Sequence, residues 1–250
     1  MRRIAVMNQK GGVGKTTTAF NLSHALALRG MRVLALDLDP QGHLSASFGV
    51  EPAGAPAMDD VLLDGVSMGE AMREVRPGLW LVPAGDRLAD VDQLREGGAH
   101  RGWLLDEALA AVDSPEVVLM DCPPSSAILT TNALFAANEL LIPVAGEYLS
   151  LHGLGRMLRI VKYAERRLKR EVRKWLALTR FHTGRCLARD VRDCLLRYFP
   201  GQVLLTPIRE AVALAESPSF GKTIFEYQGG GRGARDYDAM ADDLLLGRTM

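Results

Sequence analysis

Eight consecutive residues near the start of the chain, Lys10-Gly11-Gly12-Val13-Gly14-Lys15-Thr16-Thr17, combine two lysines, three glycines and two threonines. Residues of these types suit the holding of a polyphosphate. Glycines let successive backbone N–H groups turn inward around phosphate oxygens. A helix opening directly after them adds the positive end of its dipole. Lys15 then reaches the β- and γ-phosphates, and the Thr16 hydroxyl is placed for Mg²⁺. Two further sites supply carboxylates. Asp37 and Asp39 close the run Leu34-Ala35-Leu36-Asp37-Leu38-Asp39-Pro40-Gln41-Gly42, and their spacing of two puts them on one face of an extended strand. Asp121 ends the apolar run Val117-Val118-Leu119-Met120 and is followed by Cys122-Pro123-Pro124. A carboxylate at such a strand end holds Mg²⁺ through water, because Mg²⁺ keeps part of its hydration shell.

The elements needed to position these residues are legible as hydrophobic runs. Ile4–Met7, Arg32–Leu38, Leu79–Val82, Val117–Met120, Glu139–Val144 and Trp175–Thr179 are continuous apolar stretches, the pattern of strands buried on both faces of a parallel sheet. Helical segments over Thr17–Arg29, Gly102–Val112, Ala127–Asn138 and Gly153–Arg170 alternate with them. The alternation predicts an α/β fold with a doubly wound, mostly parallel sheet. Ligands bind such sheets at the carboxyl ends of the strands, where Asp37, Asp39 and Asp121 fall. Residues 51–70 are rich in Gly, Pro and Ala and read as a surface excursion, with Ser67 and Glu70 spaced as a capping box. A last amphipathic helix is expected over about 234–246. No linker is evident, and one domain spanning residues 1–250 is expected.

Composition narrows the function classes. The 250 residues are 48% hydrophobic, enough for one substantial core. The 30 basic and 30 acidic residues cancel, which excludes a uniformly basic nucleic-acid binder but not a local basic patch. Cys122, Cys186 and Cys194 form no C-x-x-C pair, so neither a disulfide framework nor a zinc site is supported. No apolar run approaches the roughly 20 residues of a membrane span, and no secretory leader is evident; a cytoplasmic protein is expected.

The phosphate loop departs from the strict G-x-x-x-x-G-K-[ST] pattern: Gln9 stands at the first glycine's place and a second lysine, Lys10, precedes the glycine pair. In this form the chain resembles the ParA/MinD family of deviant Walker A ATPases, P-loop NTPases of the SIMIBI type. Asp37-Leu38-Asp39-Pro40-Gln41-Gly42, Asp121-Cys122-Pro123-Pro124, Ile142-Pro143-Val144 with Glu147-Tyr148 and Leu151-His152-Gly153-Leu154, and Glu216-Ser217-Pro218-Ser219-Phe220-Gly221-Lys222 extend the resemblance along nearly the whole chain. The resemblance implies ATP and Mg²⁺ as ligands and a homodimer closed by ATP, with no membrane partner. It gives Lys10 a role in trans on the partner's nucleotide and Lys15 one in cis. It makes Asp39 the residue that orients the attacking water, and Asp37 and Asp121 supports of the metal region. It further implies non-specific DNA binding by the ATP-bound dimer at the nucleoid, and slow hydrolysis stimulated by a ParB-like adaptor. The cargo would be a plasmid or chromosome, or, in an alternative reading, a protein assembly. A small-molecule kinase of the wider P-loop class is a further alternative, against which the paired lysines argue.

A basic face is available for DNA. Leu154, Leu158, Val161, Leu168 and Val172 make a core stripe; Arg159, Lys162, Arg166, Lys169 and Arg173 repeat one position over, roughly 100° around a helix. Arg180, Arg185, Arg189, Arg192 and Arg197 form a second cluster around the next helix. Such surfaces track phosphates without reading bases. Two departures from the family pattern stand out. Where chromosomal members carry I-P-R-N-V-R, this chain has Ile208-Arg209-Glu210-Ala211-Val212-Ala213. The last helix is acidic, with Asp236, Asp238, Asp242 and Asp243, unlike the basic membrane helix of the MinD branch.

Overall fold

A computed structural model of the chain describes every residue except 52, 53, 94–97, 125 and 148, and describes residues 99 and 149–152 by their backbone alone. Tyr148 of the sequence comparison therefore lies outside the described residues, as do the side chains of Leu151 and His152. Among the described residues seven strands form one sheet: β1 (Arg2–Val6), β2 (Val33–Asp37), β3 (Arg73–Arg76), β4 (Leu79–Val82), β5 (Val117–Asp121), β6 (Glu139–Ala145) and β7 (Arg173–Thr179). Their order is β3-β4-β2-β5-β1-β6-β7. All pairings are parallel except β3 with β4.

The continuous apolar strands bury both faces, and successive side chains feed two cores. Ile4, Val6, Val33 and Ala35 point into one, packed under the helices Lys15–Ala27 and Arg232–Leu246. Ala5, Met7, Leu34 and Leu36 point into the other, covered by Ala127–Ala136, Leu149–Leu168 and Cys186–Tyr198 among others. The doubly wound α/β class expected from the run pattern is the observed one.

Three local expectations change. β3 has the sequence Arg-Glu-Val-Arg and lies at the sheet edge, where a strand need not be apolar; no hydrophobic run marks it. The stretch 51–70 is not wholly a surface excursion. It contains a helix, Met58–Leu63, whose Met58, Val61 and Leu62 are buried in the core. The Ser67–Glu70 cap is present, with the Ser67 hydroxyl accepting from the Glu70 amide at 3.3 Å. The helix expected from Gly153 to Arg170 runs over Leu149–Leu168, and Lys169 ends it in a left-handed conformation (φ 51°).

Candidate nucleotide site

The loop between β1 and the helix Lys15–Ala27 sits at the carboxyl edge of an interior strand. Gly12 and Gly14 have φ of 73° and 84°, a region that favours glycine. Gly14 caps the helix, accepting from the Thr18 amide at 2.9 Å. Val13 is fully buried, and its carbonyl accepts from the Thr179 hydroxyl at 2.8 Å. This tie to β7 fixes the loop's shape. Gly11, Gly12, Gly14, Lys15, Thr16 and Thr17 line a cavity of about 660 Å³, while Val13 and Lys10 do not; Val13 anchors the loop from behind.

Lys15 is 8% exposed, and its ammonium donates to the Lys10 carbonyl at 3.4 Å. Burial pushes its pKa down, opposed by the charges of Asp121 and Asp39. A desolvated ammonium between a loop of glycines and two carboxylates is set up to trade weak contacts for phosphate oxygens.

Asp37 and Asp121 are register partners on β2 and β5, and both are fully buried. Asp37 Oδ2 accepts from the Ser45 hydroxyl at 2.7 Å and the Ser45 amide at 2.8 Å; Oδ1 accepts from the Asp39 amide at 3.2 Å. Burial raises its pKa to about 6 against the pull of the Ser45 bonds. These bonds let Asp37 brace the turn that carries Asp39, and its register pairing with Asp121 puts it at the region where a metal was expected. Asp121 is the converse: neither carboxylate oxygen has a hydrogen-bond partner. Burial, and then the neighbouring Asp37 charge, raise its pKa well above the ordinary range. A buried carboxylate with two orphaned oxygens beside a threonine-lined phosphate loop fits a hydrated Mg²⁺, which would satisfy both. Among the described residues no cluster of three acidic, His or Cys side chains forms a cage, so the remaining ligands would be phosphate oxygens, water and Thr16. Asp39 is 8% exposed, accepts from the Gln41 amide at 3.0 Å and faces the same cavity.

Lys10 lies apart from this cavity. Its amide donates to Asn8 Oδ1 at 3.0 Å, and its ammonium pairs with Glu147 Oε2 at 2.8 Å. The two lysines of the loop thus face different surroundings in one protomer.

The far wall of the cavity comes from residues distant in sequence from the phosphate loop. Arg180, Arg209, Glu210 and Tyr237 line it. Arg180 adopts φ 48°, uncommon without glycine, and donates to the Gly12 carbonyl at 3.4 Å and to Glu210 at 3.1 Å. The His182 bond, and then Arg180, hold the Glu210 carboxyl below its usual value. Arg209 forks onto buried Asp236 of the last helix. The change from I-P-R-N-V-R to Ile208–Ala213 pointed at this segment, but nothing local in the sequence places it beside the phosphate loop.

The basic face is partly as expected. Arg159, Lys162 and Arg166 are exposed on the helix Leu149–Leu168, opposite buried Leu154, Met157, Val161 and Ala164. Lys169 is exposed but lies past the helix end, and Arg173 belongs to β7, its guanidinium 4.0 Å over the Trp175 ring. In the second cluster Arg185 and Arg189 are exposed, the latter donating to Cys186 Sγ at 3.2 Å, while Arg192 pairs with Asp193 at 2.8 Å. That cluster is partly neutralised.

The α/β sheet, the glycine loop capping the first helix and the strand-end carboxylates together define a P-loop nucleotide-binding protein. Comparison with known proteins narrows the class. A family model described as an AAA domain matches residues 1–174. The chromosome-partitioning ATPase Soj of Thermus thermophilus is 39% identical over 248 residues, covering 98% of this chain and 96% of its own. The sporulation initiation inhibitor protein Soj of Bacillus subtilis is 36% identical over 245 residues, covering 96% and 97%. Among solved structures, cobyrinic acid a,c-diamide synthase of Mycobacterium smegmatis, with bound ATP analogue and magnesium, superposes with a TM-score of 0.86 at 33% identity, covering 100% of this chain and 98% of that one. The chain belongs to the ParA/Soj family of partitioning ATPases.

Proposed function

We propose that the chain, acting as one unit over residues 1–250, is an ATP- and Mg²⁺-dependent switch that partitions DNA. The carrying observation is the split between its two loop lysines: Lys15 is buried in the nucleotide cavity, whereas Lys10 is held outside it by Glu147. A lysine that begins the phosphate loop yet faces away from its own phosphates suits a second chain's nucleotide.

In this reading Lys15 neutralises charge on the β- and γ-phosphates. Thr16, Asp37 and Asp121 would hold the metal, which would supply charge neutralisation. Asp39, braced by Asp37 through its amide, orients the attacking water. Lys10 adds a charge-assisted hydrogen bond across a two-fold interface, completing the site only in the dimer. The exposed Arg159, Lys162 and Arg166 of each protomer then track DNA phosphates, with Lys169, Arg185, Arg189 and Arg192 as further candidates. A ParB-like adaptor accelerates hydrolysis and releases the dimer. Among the described residues no helix is long and apolar enough to cross a membrane, consistent with a cytoplasmic protein that joins the nucleoid when ATP-bound.

DNA co-sedimentation with ATP, ADP and no nucleotide tests the reading. Binding that requires ATP supports it; equal binding in all three conditions overturns it. A second reading follows from the name of the Mycobacterium smegmatis structure, a synthase acting on a small molecule. Turnover of ATP with DNA present and no small-molecule acceptor separates the two, because a synthase would stay idle.

A further inference from the structure

Four segments at the carboxyl edge of the sheet carry a row of alternating charges. Lys10 follows β1, Glu147 follows β6, Arg180 and His182 follow β7, and Glu210 lies in the segment before the helix Val212–Glu216. Lys10 pairs with Glu147 at 2.8 Å, Arg180 with Glu210 at 3.1 Å, and His182 bonds the other Glu210 oxygen. Glu147 therefore lies between two cations. Its carboxyl is held below the usual range by the Lys10 bond foremost and by Arg180 as a further charge, so it is ionised at neutral pH.

We propose that Glu147 is a positioning residue: it holds the Lys10 ammonium while the protomer is alone and turns to Arg180 when Lys10 moves to the partner's nucleotide. The inference rests on the trans role of Lys10 proposed above. The Glu147 bond holds the Lys10 ammonium against its own protomer, so reaching across to a partner's phosphate stretches or breaks that bond and dimer closure exchanges a carboxylate for a phosphate. Glu147 is half exposed, so losing Lys10 leaves it in water rather than stranded. Arg180 already contributes to the field at Glu147, and the two residues extend from neighbouring strand ends, where the Gly146 amide donates to the Thr179 carbonyl at 3.3 Å. The second cation lowers the cost of the exchange. Without Arg180, Glu147 keeps a firmer hold on Lys10.

An exposed pair of this kind changes an equilibrium by a factor of about 2–5, and a dimer breaks two, giving roughly 4–25. The test measures the dimer dissociation constant of the full chain by analytical ultracentrifugation, with a non-hydrolysable ATP analogue and Mg²⁺ at saturation. Glu147→Gln should tighten the dimer by about 4–25-fold, leaving the analogue's affinity for the dilute monomer unchanged. Arg180→Met should loosen the dimer, and in the Glu147→Gln background it should have no further effect. A purely structural role for either residue would not produce that dependence. Melting curves of each variant exclude misfolding as the origin of a change. An unchanged or weaker dimer for Glu147→Gln overturns the proposal, as does an Arg180→Met effect that persists in the double variant. Lys10→Ala separates this failure from that of the underlying reading. If Lys10→Ala still dimerises, the trans role itself is wrong. If Lys10→Ala is monomeric while Glu147→Gln behaves as wild type, only the positioning role falls.

Discussion

The ammonium of Lys15 rests 3.4 Å from the carbonyl of Lys10, while the ammonium of Lys10 is turned to Glu147. One lysine is thus bonded to the backbone of the other, and their charged ends diverge. A loop built this way presents one cation to its own cavity and one to whatever lies beyond it.

On the proposed reading the inner cation sets nucleotide affinity. Lys15→Ala should weaken ATP binding about 10- to 100-fold, the loss of a charge-assisted hydrogen bond or two. Fluorescent-nucleotide titration measures it. Affinity within a factor of two of wild type would contradict the placement of Lys15 on the phosphates.

If the outer cation acts in trans, dimerisation depends on it instead. Lys10→Ala should bind ATP with near-wild-type affinity but remain monomeric by light scattering with ATP and Mg²⁺, and should lose ATP-dependent DNA binding. Collapse of ATP affinity itself would place Lys10 in cis and favour a small-molecule kinase.

The role proposed for Asp39 is in hydrolysis. Asp39→Ala should retain ATP binding and slow turnover by on the order of 10²-fold or more, the scale of a lost acid–base group. Phosphate release under single-turnover conditions measures this, and a normal rate would reduce Asp39 to a strand-end cap.

Asp37 and Asp121 make the nucleotide-free protein sensitive to pH. Both carboxyls are raised by burial, Asp37 to about 6. The folded chain therefore binds protons more tightly than the unfolded one between the ordinary value of 3.8 and about 6, so this contribution to stability falls as pH rises through that window. Mg²⁺ with nucleotide favours the ionised forms and should release protons when it binds near pH 6. Calorimetry in two buffers of different ionisation enthalpy measures that release. In melting curves the Tm of the nucleotide-free chain should fall as pH rises from about 4 to about 6. A Tm that stays level across that window, or no proton release, would show that the carboxyls do not gain protons on folding.

The triple variant of Arg159, Lys162 and Arg166 to Ala should weaken DNA binding by the ATP form and leave ATPase activity without DNA unchanged. If each residue neutralises one phosphate, the slope of log affinity against log salt should fall by about 2.7 per protomer. An unchanged slope would move the DNA surface elsewhere, with Arg185 and Arg189 next in line.

The phosphate loop was legible because its information is local: Gly12 and Gly14 need left-handed backbone, and Lys15 follows at once. The strands β1, β2, β5 and β6 were legible because burial on both faces leaves unbroken apolar runs. β3 was not, since an edge strand of sequence Arg-Glu-Val-Arg carries no such run. The helix Met58–Leu63 was hidden by Gly- and Pro-rich flanks. Arg180 and Glu210 stood out in the sequence, but their place at the cavity did not, for a different reason. They are 30 residues apart and reach the cavity through the sheet's crossover order, which no local pattern encodes.

The position of β1 bears on how the site comes into being during synthesis. The strand that carries the phosphate loop lies inside the sheet, paired with β5 through Val117–Asp121 and with β6 through Glu139–Leu141. A nascent chain therefore displays the whole glycine loop long before the strands on either side exist. Pairing over such sequence separations is slow to form and leaves apolar strand edges open in the meantime. Ribosome-bound chains that end before β6 should hold the loop's residues yet trap no nucleotide, and the apolar run Ile4-Ala5-Val6 should be a binding site for chaperones until translation passes residue 141.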